Sequence, residues 1–268
     1  ADLLQAVYGR NGECPVPVIA ASTPVDCFEA AMEAVQVAVR HMTPVILLTD
    51  GYLANGSQPW RLPNYDDLAA DPVRFWTNTV GFHPYLRDED TLARPWVRPG
   101  TPGLEHRIGG IEKDYDSGDI SYSPANHEKM VRVRAEKVAR IADTLAPTKV
   151  SGSELGEAVV LGWGSTYGAI EEAVGRLNVE GLAVGHVHLR WVNPLPKDLG
   201  RVLKRFRTVI VPEMNMGQLV RIVRDQILVD AIPINKIKGQ PFTAAELTAS
   251  IRDIVTERLG AEPAKESK

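Results

Sequence analysis

The chain has 268 residues, 44% of them hydrophobic and 24% charged, and carries a formal charge of −4. Those proportions describe a folded globular chain of one large domain or two ordinary ones. The mild acidity argues against nucleic acid as a main partner, and no apolar run is long enough to cross a membrane as a helix.

The start, ADLLQAVYGRNGE, has no basic stretch followed by an apolar one, so no secretion signal is expected and a cytoplasmic setting is inferred. The first residue is Ala1 rather than methionine, which points to processing, a split gene or a fragment, with removal of an initiator as the plainer alternative. Cys14 and Cys27 are the only cysteines. Two thiols cannot ligate a four-cysteine iron–sulfur cluster or a cysteine-rich zinc site, and a reducing compartment disfavours a disulfide between them.

Pro15–Ser22 reads as a first strand, and the segment from Pro24 to Met42 as a helix with Phe28, Met32, Val35 and Val39 along one face. Pro44 stops that helix. Val45–Thr49 is a second buried strand ending in Asp50-Gly51-Tyr52, at the carboxyl end where open α/β sheets bind ligands. Two strands and a helix bury little apolar surface, so the first sixty residues are expected to complete a sheet with strands from upstream sequence or a partner. From Asn55 to about Asn126 periodicity fails, while prolines recur with Trp60, Trp76 and Trp96 among them. The segment is too aromatic for a disordered tether and predicts an ordered wrap over its own domain or a neighbour. A charged helix follows over His127–Leu145, ended by Pro147.

The second half alternates strand and helix, which predicts a mostly parallel sheet covered on both faces. Strands are expected at 157–162, 182–189, 208–211 and 232–237. Helices are expected at 166–177, 198–206, 217–229 and 243–259, with a loop at 193–196. Thr243 and Glu246 form a capping box on the last helix. The final residues, 263–268, read as a disordered tail.

Four constellations carry chemistry. The turn Gly162-Trp163-Gly164-Ser165-Thr166-Tyr167-Gly168 follows a β-branched strand and opens a helix, with Ser165 and Thr166 as candidate N-caps. It is one residue longer than the dinucleotide fingerprint, and the next strand ends in Arg190 rather than an acid. Three readings stand: close helix–sheet packing, which is favoured; an anion site at Gly164, Ser165 and Thr166; and a nucleotide site with Arg190 toward a 2′-phosphate. His186 and His188 share one strand face, which suits a packed or hydrogen-bonded pair better than a metal lacking a third ligand. Glu213, Asn215 and Gln218 cluster where a strand becomes a helix. They serve either as caps, Asn215 above all, or as polar recognition at an interface or of a ligand. Asp50 and Tyr52 form either a tight turn or the wall of a cofactor cleft at a junction. Spacing alone singles out no nucleophile–base–acid set.

Several segments together resemble one family: ECPVPVIAASTPVDCFEAAMEAVQVA, PVILLTDGYLANG, TPGLEHRIGGIEKD, SPANHEKMVRVRAEK, VVLGWGSTYGAIEEAV, HLRWVNPLPKDLG and PEMNMGQL. They are similar to α subunits of 2-oxoacid:ferredoxin oxidoreductases, the 2-oxoglutarate type most of all. That resemblance implies an α/β chain in four parts. Residues 1–60 are then the carboxyl-terminal part of an incomplete thiamine-pyrimidine-binding domain, and 61–150 a wrap and linker helix. Residues 151–262 form a transketolase-C-terminal-like, mostly parallel α/β domain, followed by the tail. It also implies oxidative decarboxylation of a 2-oxoacid to an acyl-coenzyme A, with electrons passing to ferredoxin. Thiamine diphosphate and Mg would be bound mainly by the β subunit, which also carries a 4Fe–4S cluster, and none of these by this chain alone. The family's catalytic glutamate and substrate motif correspond to sequence upstream of Ala1, so no catalytic residue is assigned and the isolated chain is expected to be inactive. Two other readings remain open: a non-catalytic assembly module, and an NADP-linked reductase built on the 162–168 turn.

Overall fold

The computed structural model describes residues 2–68 and 73–260; the tail predicted at 263–268 lies outside them. A short helix α1 (Leu3–Tyr8) leads to strand β1 (Val18–Ala20), helix α2 (Pro24–His41), strand β2 (Ile46–Leu48) and a one-turn helix α3 (Gly51–Asn55). Helix α2 begins where Thr23 accepts the Asp26 N–H and Pro24 sets the first helical φ. It ends on Arg40 and His41, with Met42 in the left-handed region.

The wrap is largely irregular and packs on what precedes and follows it. Phe75 and Trp96 form one isolated bridge, and Lys113 and Ile120 another. Trp60 lies 5.1 Å from the Phe28 ring, and the Trp96 indole donates to the Val39 carbonyl at 2.9 Å, so the wrap covers α2. Helix α4 (Pro124–Arg140) closes it, capped by Ser123 and continued by a 3-10 turn to Thr144.

Strands β3 (Ser151–Gly152), β4 (Gly156–Trp163) and β5 (Val184–Leu189) belong to the second sheet, with helix α5 (Tyr167–Val179) between β4 and β5. Strand β6 (Trp191–Asn193) leaves that sheet. After helix α6 (Leu199–Leu203) come β7 (Phe206–Glu213), helix α7 (Gln218–Ile227), β8 (Ala231–Asn235) and helix α8 (Ala244–Gly260). The order is β3-β5-β4-β7-β8, parallel except for β3.

Alternation along the strands builds two layers. On β4, Val159 and Leu161 join one core, with β7 residues Val209 and Val211 and helices α1, α6 and α7. Ala158, Val160 and Ile210 face α5 and α8, meeting Ile170, Leu177, Leu247 and Ile251. Burying that many aliphatic side chains on both faces, at about 1.5–3 kcal/mol each, dominates the stability of this half.

The first sheet draws one further strand from within the chain. Its order is β2-β1-β6, and β6, from the second half, runs antiparallel to β1. The strand expected at 182–189 and the loop expected at 193–196 leave no separate strand over Trp191–Asn193. Instead the backbone turns at Arg190, whose carbonyl accepts from Ala20 N at 2.8 Å, and switches sheets. Trp191 then enters a core with Ile19, Ala30, Leu53 and Ile141. Leu3, Ala6 and Val7 of α1, together with Val18, pack into the core of the second sheet, so the two sheets share apolar contacts.

Candidate functional site

Strand β4 sits between β5 and β7. The chain leaves β4 toward β5 through α5, then returns to β7 on β4's other side. Helices therefore diverge from the carboxyl ends of β4 and β7, and a crevice opens there. A cavity of about 860 Å³ occupies it. The carboxyl ends of β1 and β2 form its opposite wall through Ala21, Thr49 and Asp50.

Asp50 is the N-cap of α3, its Oδ1 accepting from Leu53 N at 3.0 Å. Its Oδ2 accepts a hydrogen bond from the Ser165 hydroxyl, in the turn after β4. The two strand ends that form the crevice are thus tied by one carboxylate. Tyr52, one residue into α3, is 58% exposed and stands at the cavity lining.

The glycine turn is a 3-10 turn, Gly164–Thr166, running into α5. Gly164 has φ +60°, a conformation that costs a side chain energy. A Cβ on Gly162 would lie 2.5 Å from Ile170 and 2.8 Å from His188, so glycine is required there for packing. Ser165 and Thr166 were expected as N-caps. Neither caps: Ser165 donates to Asp50, and Thr166 donates to the Trp163 carbonyl at 2.7 Å. Both hydroxyls are buried and fix the turn.

Glu213 and Gln218 lie outside the cavity lining, whereas Asn215 is part of it. Glu213 is fully buried. Its carboxylate accepts from Leu219 N at 2.8 Å and Val220 N at 3.1 Å, and from the Asn215 amide and the Trp163 indole. It thereby fills the anion site at the start of α7 with a side chain of the same chain. Asn215 accepts from Gly217 N and Gln218 N, which is the capping role expected for it. Gln218 accepts from Leu4 N at 3.0 Å and so fastens α1 to α7.

His186 and His188 are joined to the turn by a chain of contacts. The Glu171 carboxylate takes Ser151 Oγ at 2.7 Å and His186 Nδ1 at 2.6 Å, and His188 Nε2 donates to the Gly164 carbonyl at 3.0 Å. With those protons placed, His186 Nε2 and His188 Nδ1 face each other at 3.3 Å as two acceptors. Tyr167 packs on both rings. Burial holds both imidazoles below their usual range, His188 at about 3. The pair is therefore neutral at pH 7.

Arg190 is committed elsewhere. It binds Glu33 at 2.9 Å and Glu29 at 3.3 Å and pairs with buried Asp26. A guanidinium held by three carboxylates of α2 is not placed for a ribose 2′-phosphate, which removes the nucleotide reading's only basic group.

Sequence reasoning missed the third wall, Gly239-Gln240-Pro241. Lys236 holds it by donating to the Pro241 carbonyl at 2.8 Å while paired with Glu246 at 2.7 Å, and it draws the Glu246 carboxyl down to about 2. The KGQP run signals a turn, but nothing in its pattern says that the turn faces β4. Trp163 and Met214 also line the cavity.

Residues 1–122 match the family model described as "Pyruvate flavodoxin/ferredoxin oxidoreductase, thiamine diP-bdg". Residues 156–247 match "Pyruvate:ferredoxin oxidoreductase core domain II". A Mycobacterium tuberculosis protein, "2-oxoglutarate oxidoreductase subunit KorA", is 49% identical over 261 residues. The chain belongs to the family of 2-oxoacid:ferredoxin oxidoreductase α subunits. The match to the mycobacterial relative takes in 97% of this chain and 40% of that protein. An α subunit of a 2-oxoacid:ferredoxin oxidoreductase from Aeropyrum pernix is 31% identical, over 95% of this chain and 41% of that one. The chain thus spans about two fifths of these relatives' length. A solved 2-oxoglutarate:ferredoxin oxidoreductase from Magnetococcus marinus, with 2-oxoglutarate, coenzyme A and succinyl-CoA bound, superposes with a TM-score of 0.90. It is 31% identical and covers 95% of this chain and 45% of its own.

The cavity lies where the two family domains meet. Among the described residues that line it are Asp2 and Asp50 but no lysine, arginine or glutamate. Among all described residues, no group of three His, Cys, Asp or Glu is placed to hold a metal ion. The carboxylates, amides and hydroxyls present suit an aminated heteroaromatic ring better than a diphosphate with its cation.

Proposed function

We propose that this chain forms the α side of the active-site crevice in a thiamine-diphosphate-dependent 2-oxoglutarate:ferredoxin oxidoreductase. The observation that carries the reading is the cavity itself. It opens at the switch point of the second sheet, against the strand ends of the thiamine-family domain, in a fold that superposes on an enzyme whose solved structure has 2-oxoglutarate and coenzyme A bound. Thiamine diphosphate supplies the carbanion-stabilising centre for decarboxylation when bound.

This chain's own residues shape and hold the crevice. Asp50, fixed by the α3 cap and by Ser165, presents an acceptor at its floor. Gly164, Ser165 and Thr166 keep the β4 turn closed around it, and Asn215 fixes the β7 end. Trp163 and Pro241 wall it, and Tyr52 stands at its mouth. Glu213 and Gln218 hold the α7 and α1 supports behind it. The basic groups and metal ligands for the diphosphate and Mg are assigned to the β subunit, together with the 4Fe–4S cluster that passes electrons to ferredoxin. Strand β2 has a partner on one side only among the described residues, and its residues are half-buried. That edge suits continuation of the sheet by the amino-terminal α portion. The chain is assigned to the cytoplasm.

The test is assembly. The chain in its whole α subunit, combined with the β subunit, should reduce ferredoxin when supplied with 2-oxoglutarate and coenzyme A, and the isolated chain should not. Unchanged activity of a β preparation without it would favour a scaffold. NADPH binding lost on Gly164→Val would favour a reductase.

A further inference from the structure

A second cavity, of about 380 Å³, lies between the wrap and α4 and shares no lining residue with the first. Five cations line it, Arg87, Arg94, Lys113, Arg134 and Lys137, against one acid, Glu112. That acid is already shared: the His127 ring contacts it at 2.6 Å and Arg134 lies 3.6 Å away. Arg87 donates to the Tyr115 and Tyr85 carbonyls at 2.8 and 3.2 Å, and Arg94 donates to the Pro84 carbonyl at 3.1 Å. Lys137 donates to the Met42 carbonyl at 3.1 Å. Among the described residues no carboxylate stands within ion-pair distance of Arg87, Arg94 or Lys137.

The hollow is built, not incidental. Both guanidinium groups lie against the Tyr85 ring, their carbon atoms 5.2 and 4.7 Å from its centre, and Arg87 lies 4.4 Å from the Tyr115 ring as well. Backbone carbonyls and ring faces fix the forks without neutralising them. Burial, and then the charges of Arg87 and Arg94, bring the Lys137 ammonium down to about 8. Like charges gathered in a half-desolvated pocket repel one another, and an oxyanion placed among them relieves that repulsion. A single carboxylate offsets one charge of the surplus, whereas a phosphoryl group brings close to two and offers several acceptor oxygens to the arginine forks.

We propose that this hollow is an anion site that binds a phosphorylated small molecule through its phosphoryl group, apart from the crevice at the strand ends. The probe is inorganic pyrophosphate, titrated calorimetrically into the full chain and followed in parallel by thermal unfolding at constant ionic strength. Saturable binding with a raised Tm is expected. The affinity should weaken several-fold as pH rises through about 8, because Lys137 loses its proton there. Arg94→Gln and Lys137→Met should each weaken binding by about tenfold or more, the loss expected for a charge-assisted contact. Arg132→Gln, on the exposed face of α4 and paired with Glu128, should leave it unchanged. Without ligand, Lys137→Met should raise Tm, since it removes a buried repelling charge. No heat beyond that of matched chloride, or equal affinity in Arg94→Gln and Lys137→Met, would overturn the assignment. Citrate binding as tightly as pyrophosphate would overturn the preference for phosphate.

Discussion

The Ser165 hydroxyl donates a hydrogen bond to the Asp50 carboxylate, joining a residue at the end of β2 to one at the end of β4, 115 positions along the chain. One side chain therefore caps a helix of the first sheet and clamps the second. Ser165→Ala should cost about 1.5–3 kcal/mol, the usual worth of a hydrogen bond to a charged group. Asp50→Ala loses the α3 cap as well and should cost about 1 kcal/mol more. Denaturant melts of the two single variants and the double variant would show the coupling; strict additivity would mean that the contact contributes nothing. In the assembled enzyme both changes should lower kcat/KM, since they loosen the crevice.

Glu213 is buried with its carboxylate on the first N–H groups of α7. Removing it strands two buried backbone donors and deprives the Asn215 amide and the half-buried Trp163 indole of their acceptor. Glu213→Ala should destabilise by about 3 kcal/mol or more, at 1–3 kcal/mol for each unsatisfied group. Glu213→Gln keeps one accepting oxygen but turns an NH2 toward a donor, so a smaller loss is expected. A shift in denaturation midpoint ordered Ala beyond Gln beyond wild type would establish the cap. Equal midpoints would refute it.

Much of this architecture is legible in the residues, and the unreadable parts share a cause. β-branched runs such as AVVL and TVIV declare buried strands because periodicity is local. The Thr243–Glu246 box declares a helix start for the same reason, and its reciprocal hydrogen bonds are present. Asp50 at a strand end is a cleft residue by topology alone. Strand β6 was not legible, because which sheet a three-residue run joins depends on Trp191 reaching Ile19 and Ala30, not on its own pattern. The roles of Ser165 and Glu213 stay ambiguous in the sequence. A hydroxyl in a glycine turn or an acid before a helix signals a cap or a ligand site equally, until the partner is in place. The cationic hollow gave no sequence signal, its members being spread from Arg87 to Lys137.

Arg190 joins the strand switch to α2 by meeting Asp26, Glu29 and Glu33, while the Trp191 indole donates to Glu33 at 2.7 Å. Burial, and secondarily Glu29, push the Glu33 carboxyl up even with arginine present. Arg190→Met leaves three acids facing one another and should cost about 3–5 kcal/mol at pH 7. The Glu33 carboxyl, already raised by burial, then has a folded pKa above its unfolded one, so the folded state binds more protons and stability falls as pH rises. The variant's deficit should therefore shrink on acidification toward pH 5. Arg190→Lys should recover only part of the loss, because an ammonium cannot span the carboxylates as a fork does. A pH-independent deficit would show that packing, not charge, is what Arg190 supplies.

His188 ties β5 to the glycine turn through the Gly164 carbonyl, and burial keeps its imidazole neutral, with a pKa at about 3. In the unfolded chain the same ring protonates near its ordinary value of 6.5. Between those values the unfolded state binds the extra proton. Stability is then complete above about pH 6.5 and falls as pH drops below it, by up to about 1.4 kcal/mol per pH unit. The Glu171 carboxyl is held low against its burial by hydrogen bonds from His186 and Ser151, so it adds acid sensitivity of the same sign. When the folded protein is finally forced to take a proton, the place for it is between His186 Nε2 and His188 Nδ1, where two acceptors face each other at 3.3 Å. His188→Gln keeps a donor toward Gly164 but has no ring to titrate. It should be less stable than wild type at pH 8 and should lose less on going to pH 5. Parallel stability–pH curves for the two proteins would show that the acid sensitivity lies elsewhere.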